Sequence, residues 1–92
     1  MIRHIVFWKF RPDADPEPFL QALSALPEQI DWIRGMHVAR SAAPNAAWDA
    51  ALEVDFHTLE DVARYRDDPR NKKVSALCKS IRTDRVSIDI PL

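Results

Sequence analysis

The stretch that decides the fold is Met1-Ile-Arg-His-Ile-Val-Phe-Trp-Lys-Phe10, which alternates as a β-strand does. Side chains two residues apart lie on the same face of a strand. One face therefore carries Ile2, His4, Val6, Trp8 and Phe10. Burying a polar imidazole costs free energy unless the ring is hydrogen-bonded. His4 is accordingly the first candidate for a structural or a chemical role.

Length and composition predict one globular domain that spans residues 1–92. The chain is 47% hydrophobic and 29% charged, and its 13 basic and 14 acidic side chains leave a net charge of −1. These charges are interspersed, which argues against a nucleic-acid or membrane surface as partner. With Cys78 as the only cysteine and no apolar leader or spanning segment, we expect a cytoplasmic protein.

Prolines, the single glycine and hydrophobic periodicity divide the chain further. They predict strands over 1–10, 36–40, 48–56 and 82–90, with helices that begin after Asp15, Thr58 and Asp68 and a further helical turn over 28–33. The expected buried helix residues are Phe19, Leu20, Leu23 and Leu26, then Leu59, Val62 and Tyr65, then Val74, Leu77, Cys78 and Ile81. In the last strand we expect Val86, Ile88 and Ile90 to face the helices.

The order strand, helix, strand, strand, helix, strand predicts an α+β, ferredoxin-like βαββαβ fold with one antiparallel sheet and helices on one face. The opposite face combines apolar and charged side chains: Ile5, Phe7, Ala39 and Ala51 with Arg3, Lys9, Glu53, Asp55 and Arg85. Such a face is too apolar to leave in water and too charged for a monomer core. It predicts a homodimer through this second sheet face.

The chain resembles the stress-responsive A/B barrel domain family, the dimeric α/β barrels. The resemblance rests on the first strand, on Ile33-Arg-Gly35, on 48–56, on 60–69 and on 84–90, in that order along the whole chain. The family implies small dimers, most without an assigned activity. One related kind is a plant polyketide (olivetolic acid) cyclase, which forms an aromatic acid without a cofactor in a pocket between sheet and helices.

Residues that match this cyclase imply a candidate site. Its first-strand histidine matches His4 and its helix tyrosine matches Tyr65, whereas the position of its base histidine holds Asn71 and that of a helix tyrosine lies at or near Leu23. The resemblance thus implies His4 and Tyr65 as catalytic groups. The departure at Asn71 argues against the same cyclisation, because an amide cannot take up a proton at neutral pH. Asn71 is therefore a candidate for substrate binding through hydrogen bonds and not for catalysis.

Other candidates have plainer interpretations beside the functional one. Val6, Trp8, Phe19, Leu23 and Trp48 would line an apolar pocket, but the same residue types at the same spacing also form an ordinary core. His4 is equally compatible with a core histidine that bonds to Tyr65. His37 and His57 lack ligand spacing with His4, so no metal site is predicted.

The leading hypothesis is a homodimer that binds a small apolar or aromatic molecule. An enzymatic role is left open; it would be cofactor-free proton transfer of the cyclase or isomerase type, with neutral His4 as base. One alternative is a non-catalytic structural or stress-protective dimer with a filled core. Another is a cofactor-free or haem-linked monooxygenase of a related dimeric barrel family.

Overall fold

The computed structural model of the chain describes residues 1–92. Its elements in chain order are β1 (Ile2–Phe10), α1 (Glu17–Ser24), α2 (Leu26–Gln29), β2 (Gly35–Arg40), β3 (Ala50–Phe56), α3 (Leu59–Asp67), α4 (Pro69–Ile81) and β4 (Arg82–Pro91). The strands form one antiparallel sheet in the order β2-β3-β1-β4. This arrangement confirms the predicted ferredoxin-like fold.

The helices begin at residues that the sequence marks. The Thr58 side chain accepts the backbone N–H of Asp61 at 3.1 Å, and the Asp68 side chain accepts that of Arg70 at 2.9 Å. Each bond satisfies a backbone donor that the first turn of a helix leaves free. At α1 the Asp15 side chain accepts from Glu17, one residue before the structural N-cap at Pro16. The expected turn over 28–33 is instead α2, which includes Pro27 in its first turn.

The core lies between the helices and one face of the sheet. Sixteen apolar residues are buried there, and His4 is the one buried polar residue that faces the same core. Val62, Tyr65, Val74 and Cys78 contribute as expected. The interpretation of Leu59 and Leu77 as buried was wrong: Leu59 begins α3 beyond the sheet and is 60% exposed, and Leu77 lies at the flank of the α4 stripe.

The orientation predicted for the last strand was also wrong. In the β1–β4 pair Ile88 lies opposite Ile5, and Val86 lies opposite Phe7. Residues directly opposite in an antiparallel pair share a face. Val86, Ile88 and Ile90 therefore lie on the second sheet face, and Arg85, Ser87 and Asp89 face the helices. The alternation itself was predicted correctly, but the apolar side chains of β4 face away from the helices.

The second sheet face is consequently more apolar than the sequence suggested. Ile88 is 59% exposed and Val86 46% exposed, beside the partly exposed Phe7. Arg85, which was expected among the charges of this face, is absent from it. The charges that remain include Arg3, whose guanidinium donates to the Asp55 carboxylate at 2.8 and 3.0 Å. None of the helices is long and apolar enough to cross a membrane.

Candidate functional site

A cavity of about 550 Å³ lies between the sheet and helices α3 and α4. Buried apolar side chains from β1, β3 and α1 form its floor, while more exposed polar residues of α3, α4 and β4 surround its mouth. Seven of the eight predicted site residues line it: His4, Val6, Trp8, Phe19, Leu23, Tyr65 and Asn71. Volumes of 300–1,000 Å³ are typical of sites for small molecules.

Trp48 does not belong to this cavity. Its ring lies 6.1 Å from that of Phe7, and Lys9 Nζ lies 5.0 Å from its centroid, so it packs on the second sheet face. The prediction placed Trp48 on the inward face because it extended the strand back to residue 48. The strand begins at Ala50, and the strand alternation does not apply to residues before it.

The centre of the site is a contact between His4 and Asp89. His4 Nδ1 lies 2.6 Å from Asp89 Oδ1, and the two residues are directly opposite across the β1–β4 pair. A carboxylate only accepts hydrogen bonds, so the Nδ1–H of the imidazole donates to it. This tautomer leaves Nε2 with its lone pair. Nε2 makes no hydrogen bond within the protein, and it is not one of the fully buried side-chain atoms that lack a partner, which are Trp8 Nε1 and Trp32 Nε1.

Burial keeps the His4 imidazole neutral. The residue is 4% exposed, and removal of the ring from water lowers its pKa below the usual 6.5. The hydrogen bond and charge of Asp89 act in the opposite direction, and the charges of Arg85 and Arg66 add to the lowering. Desolvation is the largest of these influences. A neutral imidazole with a free Nε2 is the form that can take up a proton.

Tyr65 provides the second polar group of the cavity. Its ring packs at a steep angle to His4, with centroids 6.4 Å apart, and against Phe56 on its other side at 5.1 Å. Burial raises the pKa of the phenol to about 12. The hydroxyl therefore keeps its proton at neutral pH and can donate a hydrogen bond. No protein atom accepts one from it, so the donor is available to a ligand.

Asn71 lies in the first turn of α4 at the mouth of the cavity and is half-buried. Its side chain makes no hydrogen bond within the protein. The amide can donate to or accept from a ligand, but it supplies no base.

Sequence reasoning missed Asp89, Arg66 and Arg85. The Asp89 carboxylate accepts the hydrogen bond from the His4 imidazole. Arg66 lies 4.0 Å from the other Asp89 oxygen, and Arg85 lines the cavity. The available signal was the polar set at 85, 87 and 89, which alternates with the apolar set of the same strand. His37 lies on the second sheet face and His57 is exposed, and no group of three or more potential ligands is arranged to hold a metal.

The sequence profile of the Stress Responsive A/B Barrel Domain family matches residues 2–92. The chain belongs to this family. Among curated proteins, none matches the chain. Several solved structures have the same fold as this A/B barrel domain.

A dimeric ferredoxin-like protein of unknown function from Bacteroides fragilis is 28% identical, with a TM-score of 0.89 over 99% of this chain and 95% of that one. A hydroxynitrile lyase from Passiflora edulis is 15% identical, with a TM-score of 0.87 and coverage of 99% and 92%. A putative antibiotic biosynthesis monooxygenase from Nitrosomonas europaea is 17% identical, with a TM-score of 0.81 and coverage of 100% and 98%. The last two likenesses concern the fold alone.

Proposed function

We propose that this A/B barrel protein binds a small apolar or aromatic molecule in the cavity between sheet and helices and catalyses a cofactor-free proton transfer there. The observation that carries the proposal is the 2.6 Å contact of His4 with Asp89 at the cavity wall. A neutral imidazole that is hydrogen-bonded to a carboxylate and lines a cavity is suited to general base catalysis.

Each polar group has a distinct part in the reaction. His4 Nε2 takes a proton from a carbon next to a carbonyl, and the Asp89 carboxylate stabilises the imidazolium that forms. The Tyr65 hydroxyl donates to the carbonyl oxygen as negative charge develops there. Return of the proton to another carbon completes an isomerisation. In a cyclisation the carbanion attacks a second carbonyl carbon, and the alkoxide that forms takes the proton back from the His4 imidazolium.

The position of Asn71 limits how far the likeness to the polyketide cyclase extends. In that enzyme a histidine is the base at this position, whereas here His4 is the only imidazole that lines the cavity. We therefore place the base on β1. Asn71 is assigned a binding role at the mouth.

The volume of the cavity favours binding over the alternative of a structural protein with a filled core. Trp8 and Phe19 pack together with centroids 5.1 Å apart, but Trp48, which was expected to help fill the space, lies on the other sheet face. About 550 Å³ remains between sheet and helices.

A homodimer through the second sheet face is part of the proposal. Its exposed apolar residues include Phe7, Val86 and Ile88, and contiguous apolar surface of this kind is rare on monomers. The Bacteroides fragilis protein, which shares the fold, is dimeric. We place this dimer in the cytoplasm, where Cys78 keeps its free thiol.

Proton abstraction can be measured without the natural substrate. In D2O, 1-phenylpropan-2-one exchanges the hydrogens next to its carbonyl, and proton NMR follows their loss. We expect the protein to accelerate this exchange and His4→Gln to abolish the acceleration. His37→Gln, on the second sheet face, is the matched control and should retain it. Equal rates for His4→Gln and the native protein would contradict the catalytic role of His4.

A further inference from the structure

The mouth of the cavity is strongly basic although the protein as a whole carries a net charge of −1. Among the residues that line the cavity, Asp67 is the only acidic one. Five are basic: Arg66, Lys72, Lys79, Arg82 and Arg85. They come from α3, α4 and β4 and surround the side of the cavity opposite its apolar floor.

Four of these five cations have no carboxylate within 4.0 Å, and Arg66 reaches Asp89 only at 4.0 Å. Elsewhere in the chain, five of the other eight basic residues have a carboxylate partner: Arg3, Arg11, Arg40, Arg64 and Arg70. The uncompensated positive charge is therefore concentrated at one place. Arg85, for instance, has only the Ser87 hydroxyl at 3.5 Å.

The cations also act on one another. The pKa of Arg85 is lowered, first by burial and then by the charges of Arg82 and Arg66. Like charges gathered around the mouth of one cavity repel one another, and a bound counter-charge relieves this repulsion. Guanidinium groups are well suited to carboxylate and phosphate ligands, which they can bind with two parallel hydrogen bonds.

We infer that the ligand of the cavity is a small organic anion, with its apolar or aromatic body on the floor and its carboxylate at the basic mouth. Val6, Trp8, Phe19 and Leu23 form the apolar part of this site, and Arg82, Arg85 and Lys72 the anionic part. This inference rests on the proposed function, because it specifies the class of molecule that the same cavity binds.

Two probes with the same ring system separate the anion from the apolar body. Calorimetry would compare 1-naphthoate with the neutral 1-naphthamide, and 1-naphthyl phosphate would show whether a phosphate replaces the carboxylate. We expect the carboxylate to bind at least about tenfold more tightly than the amide, as charged hydrogen bonds imply. This advantage should shrink when salt is raised from about 0.05 to 0.5 M.

Paired variants separate local from overall charge. The double variant Lys72→Gln/Arg85→Gln removes two cations from the mouth. Arg34→Gln/Lys73→Gln removes two that lie outside the cavity and also lack a carboxylate partner, so both proteins have the same net charge. Only the first should lose the preference for naphthoate, and thermal melting would show that both are folded.

The outcomes distinguish this inference from the proposed function. Equal affinity for naphthoate and naphthamide would overturn the inference and leave the apolar site standing. Preference for the phosphate by tenfold or more would overturn the assignment of a carboxylate. An equal loss in both double variants would also overturn the inference, because the effect would then come from overall charge. Failure of every probe to bind would overturn the proposed binding function as well.

Discussion

His4 on β1 and Asp89 on β4 are direct neighbours across the sheet, joined by a 2.6 Å contact between Nδ1 and Oδ1, although 85 residues separate them in sequence. The pairing of the first and last strands brings the two side chains together on the face that covers the helices. The carboxylate fixes the tautomer of a buried ring that lines the cavity, and Nε2 of that ring has no hydrogen-bond partner in the protein. The proton transfer proposed for this site requires both residues.

Replacement of Asp89 by asparagine tests this dependence. An amide oxygen can still accept the Nδ1 hydrogen, but it carries no charge to stabilise the imidazolium. We expect Asp89→Asn to slow the catalysed deuterium exchange by about 100-fold, in the range that general base catalysis contributes. Asp84→Asn on the same strand, opposite Lys9 on the second face, should leave the rate unchanged. An undiminished rate in Asp89→Asn would show that the carboxylate has no part in the reaction.

Stability should decrease as the pH falls from neutral towards 5, in part because of His4. Its pKa in the folded protein lies below the usual 6.5, so the unfolded chain binds more protons as the pH passes below that value. The contribution of His4 to the free energy of unfolding is complete above this pH. It declines as the pH falls towards the folded pKa and then levels off.

Urea unfolding at several pH values would measure this decline. His4→Leu should have a smaller loss between pH 7 and 5 than the native protein, because the histidine whose pKa is lowered on folding is gone. His57→Leu, at an exposed site after the end of β3, is the matched control for loss of a histidine. Identical slopes in the native and His4→Leu proteins would contradict a lowered pKa for His4.

Removal of the Tyr65 hydroxyl should separate function from packing. Tyr65→Phe keeps the ring contacts with His4 and Phe56, and no protein hydrogen bond is lost. We expect the free energy of unfolding to stay within about 0.5 kcal/mol of the native value. The rate of the catalysed exchange should fall about tenfold, because a hydrogen bond to a developing charge typically stabilises a transition state by about that factor. Exchange at the native rate would exclude contact between this hydroxyl and the reacting carbonyl.

The second sheet face gives a prediction for assembly. Ile88→Asp places a charge at the centre of the exposed apolar residues of β1 and β4, and we expect it to convert the dimer into a monomer. Leu59→Asp introduces the same charge at an equally exposed leucine on α3, and should leave the dimer intact. Light scattering after size-exclusion chromatography distinguishes the two. A dimeric Ile88→Asp protein would place the interface elsewhere.

The fold could be predicted from the sequence because local signals agreed with one another. Alternation identified β1 and β3, and Thr58 and Asp68 marked the beginnings of α3 and α4. The cavity residues on β1, α1 and α3 followed from the same periodicity together with the family resemblance. Errors occurred where the pattern had two interpretations, as at β4, and where a strand begins later than the alternation suggests, as at Trp48 before β3.

The elements, their order and the position of a polar histidine on an apolar strand face are all encoded locally, since they depend on side-chain period and on capping residues nearby in the chain. That β4 turns its polar side towards the helices depends on how the strands pair. Alternation divides the side chains of a strand between two faces, but it does not show which face packs on the helices. For β4 this is determined by the register of its backbone hydrogen bonds with β1. That register brought Asp89 to His4 and Arg85 to the cavity.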